Sequence, residues 1–446
     1  MSPHLNAPVT WEGHCKPYLI VFSIFSSFSR WGARYAHGND DVRETILDFA
    51  AEKLLCTDPR VQATFTDAQV YAVLSHRLAL DAHTPGYRIE STSPFTSVKI
   101  MHEQIAKHLR VVVAVDDRNK SLRAIAPSEP VLSEAASRIM LTKNFSLPDA
   151  LSRVLTRHCV NRGNRGELVV TSLFTWARDQ VVKVKGRSIG QLCPYFSVTE
   201  LFQRLFTKQK YAFIQSTKPS FLYADNPKSF GVAFENAMMH FNHLIKPQDQ
   251  EVVARKYLPD FLARGAAALG VDRQSAFNAV YPYLYHGKDL DVKQLGFIII
   301  HVRNDPIAVE RPEKDLDELF SNMDPFRCGL INDDDKEHGR FPIPIICIVF
   351  LLSANRSPTK DVWQHMPSRP ITKKDRPLFT SYDYVCRFMK DALLPLEDSP
   401  QLWEMLVDNV SDWRSFYDRV GEVDERELRS GLPACAVDGR HHNLWY

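Results

Sequence analysis

Apolar and polar positions recur along this chain with two different periods. In "DDVRETILDFAAEKLL", Val42, Ile46, Phe49, Ala50 and Leu54 fall on one helical face behind an acidic first turn. "DAQVYAVLSHRLALDAH" repeats the logic with Val70, Val73, Leu74 and Leu78. "VKIMHEQIAKHLRVVVAVDD" passes from a helix into the β-branched run Val111 to Val115, and "SLPDALSRVLTRH" opens on a helix cap at Ser146 with Asp149 three residues on. Residues 1–150 therefore read as a mainly helical region with one small strand.

From Arg162 the pattern changes. "RGNRGELVVTSLFTWARD" predicts a helix beginning near Gly166, and a basic, aromatic segment with Lys183, Lys185 and Arg187 follows it. "FENAMMHFNHLI" reads as another amphipathic helix, and "YLPDFLARGAAALG" as a helix leading into a small-residue strand. "SAFNAVYPYLYHG" is a strand closed by Gly287, and "LGFIIIHVRND" (295–305) is a buried strand ending in polar groups. "PEKDLDELFSNM" is a helix with Pro312 near its start, and "PIPIICIVFLLSA" is a further buried strand. The prolines of 357–377 mark a loop. Beyond Thr380, "YDYVCRFMKDALL" and "QLWEMLVDNVSDWRSFYDRV" read as helices. The expected organisation is 1–150 helical, 151–356 an α/β core with a basic helical insertion, and 357–446 a linker with acidic helices.

With 446 residues, 44% apolar and 24% charged, the chain is that of a folded globular protein. The longest apolar runs, Tyr18 to Phe28 and Ile345 to Leu352, fall short of the roughly 20 residues that a membrane span needs. No Lys or Arg precedes Lys16, so a secretory signal is not expected, and eight scattered cysteines without a C-x-x-C fit reduced thiols in an intracellular setting. The net charge of +2 conceals an asymmetry: Arg153–Lys218 carries 12 Lys/Arg against three acids, and Asp391–Ser430 carries 11 Asp/Glu against four Arg. The basic stretch could meet DNA or another polyanion, and the acidic one is a solvated face or a cover for it. Lys183, Lys185 and Arg187, alternating as in a turn or strand edge, are the best phosphate contacts there. His240 and His243 read as core histidines rather than ligands, since no third ligand accompanies them.

Helix, strand, strand, strand, helix, strand is the core order of the PD-(D/E)XK nuclease superfamily, a restriction-endonuclease-like mixed sheet flanked by helices. "RGNRGELVV", "FENAMMHFNHLIKP", "ARGAAALG", "FNAVYPYLY" and "GFIIIHVRND" resemble long uncharacterised fungal chains of this superfamily, in which the last two stretches usually read G-F-D-A-V-Y-P and Q-V-K-N-D. The resemblance covers Arg153 to Ser353 and extends weakly to "APSEPVLSEAASRIM". It implies a site in which an Asp, a Glu or Gln, a Lys and a helix Glu surround Mg²⁺ or Mn²⁺ for phosphodiester cleavage.

Carried over by position, the metal-binding Asp becomes Asn278, the Glu/Gln becomes His301 and the Lys becomes Arg303, while the helix acid is Glu167 with Glu235 as its rival. Asp272 is a candidate for a migrated carboxylate, so Glu167 and Asp272 are the metal candidates. Asn278 offers a neutral carbonyl, His301 a nitrogen poorly matched to Mg²⁺, and Arg303 a charge that does not titrate near neutrality. The expectation is a remnant nuclease-like site able to hold a phosphate and poor at hydrolysing it; the alternative is a scaffold that binds nucleic acid or a protein partner in the same groove. Related chains often carry a P-loop, but no G-x-x-x-x-G-K-[ST] occurs here.

Overall fold

The computed structural model describes residues 40–406 apart from 61–62, 81, 85–102, 117–120, 158–161, 190–194, 222–226, 248, 272–275, 288–289, 304–313, 333–334, 337–340, 353–360, 368–378, 389–390, 398, 401–402 and 404–405. The chain starts with helices α1 (Asp40–Leu55) and α2 (Asp67–Leu78). Thr66 caps α2 with a reciprocal box: its hydroxyl accepts from Gln69 N at 3.3 Å, and its own N–H donates to Gln69 Oε1 at 3.0 Å. A small antiparallel sheet follows, β1 (Ala82–Thr84), β2 (Val111–Asp116) and β3 (Ser121–Ile125), in the order β1-β3-β2. Helices α3 (Pro130–Met140) and α4 (Leu147–Arg157) lead to the 28-residue α5 (Arg162–Ile189).

The main sheet takes its strands from the rest of the chain. They are β4 (Phe196–Ser197), β5 (Met238–Met239), β6 (His243–Ile245), β7 (Ala266–Leu269), β8 (Ala279–Leu284), β9 (Leu295–Arg303), β10 (Ile345–Leu351), β11 (Val362–Gln364) and β12 (Ser381–Arg387). Between them lie α6 (Val198–Leu205), α7 (Lys208–Ser216), α8 (Phe230–Ala233), α9 (Leu258–Ala263) and α10 (Lys314–Asn322). The order is β11-β12-β10-β9-β8-β5-β4, with β7 pairing both β8 and β6. β7, β8 and β9 are successively antiparallel, α10 crosses over, and β10 returns parallel to β9. The architecture is mixed α+β.

Strands β9, β10 and β12 are central and parallel, and β9 and β10 are buried along nearly their whole length, which is why those two read as unbroken apolar runs rather than alternating ones. Ile298, Ile299 and Ile300, like Ile345 to Phe350, are all buried. Helix α5 covers one face. Phe174 stacks on Tyr281 of β8 with ring centroids 4.8 Å apart and meets Phe350 of β10 edge-on at 6.1 Å, contacts worth about 0.5–1.5 kcal/mol each beyond area burial. A single apolar cluster runs from Ile46 in α1 through α5 and the sheet to Leu406.

Three local expectations are corrected. "FENAMMHFNHLI" is not a helix: it supplies β5, paired with Tyr283 and Leu284, and β6, paired with β7. Short apolar runs fit either period, and here the open edge of β8 decides. "YDYVCRFMKDALL" opens as strand β12 rather than a helix, since its aromatic and β-branched residues complete the parallel layer beside β10. Of the second expected helix beyond Thr380, only Trp403 and Leu406 fall among the described residues. The basic triplet is not a turn or strand edge either, because Lys183, Lys185 and Arg187 all lie within α5.

Candidate functional site

Two rises explain how Glu167 reaches Asn278. From Phe174 back to Glu167 is two helical turns, about 10 Å at 1.5 Å per residue. From Tyr281 back to Asn278 is three residues of extended chain, again about 10 Å. The Phe174–Tyr281 stack therefore sets the start of α5 over the start of β8. There the Asn278 side chain donates from Nδ2 to Glu167 Oε1 at 2.6 Å and accepts at Oδ1 from Val302 N, also at 2.6 Å. Its backbone N–H donates to Ile300 O at 2.7 Å, and its carbonyl accepts from Gly270 N at 2.8 Å. Asn278 thus ties β7, β8, β9 and α5 together at one sheet end.

The other two carried-over positions lie on β9, with His301 in the register position opposite Asn278 at the start of β8. Tyr281 pairs with Ile298 and Phe350 pairs with Val302, so the α5 side of β9 carries Ile298, Ile300 and Val302. Strand alternation gives His301 and Arg303 the other parity, which by register is also that of Asn278, three residues before Tyr281. His301 is 7% exposed, and its Nδ1 has no hydrogen-bond partner. Burial first, and then the neighbouring Arg303 guanidinium, lower its imidazole to about 4, with the Ala276 backbone partly opposing them. It is neutral near physiological pH. Of the expected four positions, Glu167 and Asn278 are in direct contact, and His301 and Arg303 follow on the neighbouring strand β9.

Glu235 is exposed beside β5, which pairs with the Tyr283–Leu284 end of β8, the end remote from Asn278; it does not serve as the helix acid. Asp272 lies outside the described residues. The donor set does not suit Mg²⁺ or Mn²⁺, which want several oxygen ligands: Asn278 Oδ1 is taken by the Val302 amide and Glu167 Oε1 by the Asn278 amide. Among the described residues no group of three or more His, Cys, Asp or Glu gathers as a metal site.

The basic stretch is less available than its composition implied. Lys185 Nζ lies 2.8 Å from a Glu200 carboxylate oxygen and donates to Tyr195 O at 3.2 Å. Lys183 and Arg187 are one turn apart on α5, and Lys185 lies on another side of the helix. Phe202 and Phe206 are buried against each other and do not offer stacking surfaces.

Sequence reasoning missed a buried polar cluster between the N-terminal helices and the sheet. Arg77 forks onto Asp179 at 2.8 and 3.1 Å, and Arg178 pairs with Glu134 at 2.7 Å and with Asp179 at 3.1 Å. The Ser137 hydroxyl donates to Asp179 at 2.8 Å. Burial alone would raise the Glu134 carboxyl, but Arg178, Arg77 and the Asn242 amide bring it down to about 2. Adjacent Arg178 and Asp179 in the interior of an apolar helix were the available signal, since charges at such positions persist only when paired. His240 and His243 are both buried here. His240 Nδ1 bonds Leu262 O at 2.9 Å, and His243 bonds Asn242 and Ser128.

Comparison of the chain with protein-family models, with curated proteins and with solved structures finds no match. Among the described residues no helix is long and apolar enough to cross a membrane.

Proposed function

We propose that the chain is a PD-(D/E)XK nuclease-like protein with a restriction-endonuclease-like core, in which metal-dependent phosphodiester cleavage is weak or lost. The observation that carries this reading is the Asn278 side chain, bonded at once to Glu167 and to the Val302 amide. An Asp there would present a second carboxylate for a divalent cation; an Asn closes the same space with an amide-to-carboxylate hydrogen bond. The antiparallel β7-β8-β9 unit, the α10 crossover and parallel β10 agree with the strand order of that superfamily. His301 and Arg303 in place of an acid and an amine remove the remaining metal and proton-transfer chemistry.

The test is DNA cleavage with Mg²⁺ or Mn²⁺ by the wild-type chain and by the triple variant Asn278→Asp, His301→Gln, Arg303→Lys. Metal-dependent cleavage gained by the triple variant, and lost again on adding Glu167→Ala, supports the ancestry. A folded triple variant that does not cleave overturns it.

A second reading is a scaffold that binds nucleic acid or a protein partner without chemistry. It is favoured by the same closed Glu167–Asn278 contact, which occupies the groups a metal would need and leaves the Arg303 guanidinium at the end of β9. Salt-dependent DNA binding measured for the wild type and for Arg303→Ala separates the two, because losing a phosphate contact at Arg303 would flatten the salt slope.

A further inference from the structure

A chain of hydrogen bonds leads out of the buried cluster to a half-buried hydroxyl. Glu134 Oε2 accepts from Asn242 Nδ2 at 3.1 Å, and Pro130 O accepts from the same amide at 3.2 Å. Two acceptors therefore fix the amide group, so Asn242 Oδ1 faces the other way, 2.7 Å from His243 Nδ1. A carbonyl oxygen can only accept, so the imidazole proton sits on Nδ1. Nε2 is left as an acceptor, and the Ser128 Oγ lies 2.7 Å from it. This is the arrangement that activates a serine: a hydroxyl on the open nitrogen of an imidazole whose other nitrogen is oriented by a third group.

We propose that Ser128 and His243 are the nucleophile and base of an acyl-transfer site that takes a carboxylic ester, with Asn242 as the positioning residue. The proposal is independent of the nuclease-like reading, since it uses none of Glu167, Asn278, His301 or Arg303. Exposure is graded along the relay: His243 is 2% and Asn242 4% exposed, while Ser128 is half-buried and is the member open to an electrophile. Burial, then Arg264 and Arg77, keep the His243 imidazole well below its usual range and hence neutral. Arg264 Nη2 donates to Ser128 O at 2.6 Å and steadies the backbone under the hydroxyl. Ser128 also lies two residues before α3, whose first turn receives no side-chain bond from its cap residue Glu129. Pro130 carries no N–H, so the first-turn amides are those of Val131 and Leu132, and such amides are suited to a developing oxyanion.

In the step proposed, Ser128 Oγ attacks the ester carbonyl carbon while its proton passes to His243 Nε2. The bond to the alkoxy oxygen breaks, and the alcohol leaves with that proton. Water then attacks the acyl-serine, giving its proton to Nε2; the acid departs, and the proton returns to Ser128.

The experiment treats the folded full chain with a fluorophosphonate probe and maps the adduct by peptide mass, beside chain unfolded in denaturant. One adduct on Ser128, absent from unfolded chain and from Ser128→Ala, is expected. His243→Gln should slow labelling by about 100-fold or more, the usual share of a general base. Asn242→Ala should slow it too, and Asn242→Asp should restore it. Should a His243 or Asn242 variant fail to fold, the wild-type map still decides. No adduct, an adduct on other serines, or a Ser128 adduct that forms equally in unfolded chain overturns the proposal.

Discussion

Replacing Asn278 by Asp tests the geometry of the strand end most directly. The variant keeps an oxygen to accept from the Val302 amide but swaps the donor facing Glu167 for a second carboxylate at a contact of 2.6 Å. Loss of a hydrogen bond to a charged group costs about 1.5–3 kcal/mol. Two carboxylates at that separation would repel by about 6 kcal/mol at an effective dielectric near 20, although rotation or a shared proton relieves most of it. The expected net loss is about 2–4 kcal/mol near neutral pH in the presence of EDTA. Urea denaturation reads it, with Asn278→Ala as the control that loses both bonds without adding charge. The loss should shrink near pH 5, where the pair can hold one proton, and millimolar Mn²⁺ should stabilise Asn278→Asp but not the wild type. Wild-type stability for Asn278→Asp in EDTA would refute the contact, and equal Mn²⁺ stabilisation of both proteins would refute the account of why the site lacks a metal.

Three further outcomes follow from other parts of the molecule. Asp179→Ala should cost about 3–5 kcal/mol in denaturant unfolding, because it takes the carboxylate partner from buried Arg77 and one of two from Arg178; a loss under about 1 kcal/mol would mean that the cluster is hydrated or rearranges. Burial raises the Asp383 carboxyl from 3.8 to about 7, with Ser381 and Cys347 opposing. The folded state then binds more protons than the unfolded state between these values, so stability falls as pH rises through the window and levels above it. Asp383→Asn should remove that slope and exceed the wild type by about 2–4 kcal/mol near pH 8, where parallel stability curves would contradict the burial argument. Gly270→Ala should destabilise, since a Cβ there would stand 2.6 Å from the Phe277 carbonyl where β7 closes on β8; an unchanged midpoint would show that this approach is loose.

The apolar runs at 295–300 and 345–350 are legible as buried strands because a strand covered on both faces needs no polar alternation, and the amphipathic helices at 40–55 and 314–322 are legible because one face is wet. Strand β12 was not legible as such: Tyr382 to Arg387 pairs with β10, whose residues lie some forty positions earlier in the chain. The short segments β5 and β6 are decided the same way, by which open edges of β8 and β7 they meet.

At the candidate site the sequence determined which chemical groups are present, an amide at 278, an imidazole at 301 and a guanidinium at 303, and so what they can ligate or protonate. Only the tertiary structure decided that Glu167, 111 residues before Asn278, bonds to it, and that Asn278 in turn bonds the Val302 amide between His301 and Arg303. The relay from Glu134 through Asn242 and His243 to Ser128 belongs to the same category, since its polar atoms come from two segments more than a hundred residues apart. Residue identity sets the chemistry available, because each side chain carries its own donors, acceptors and charge. Which of those groups meet depends on the packing of α5 and α3 against the sheet, and packing between distant segments leaves no periodic trace in the chain.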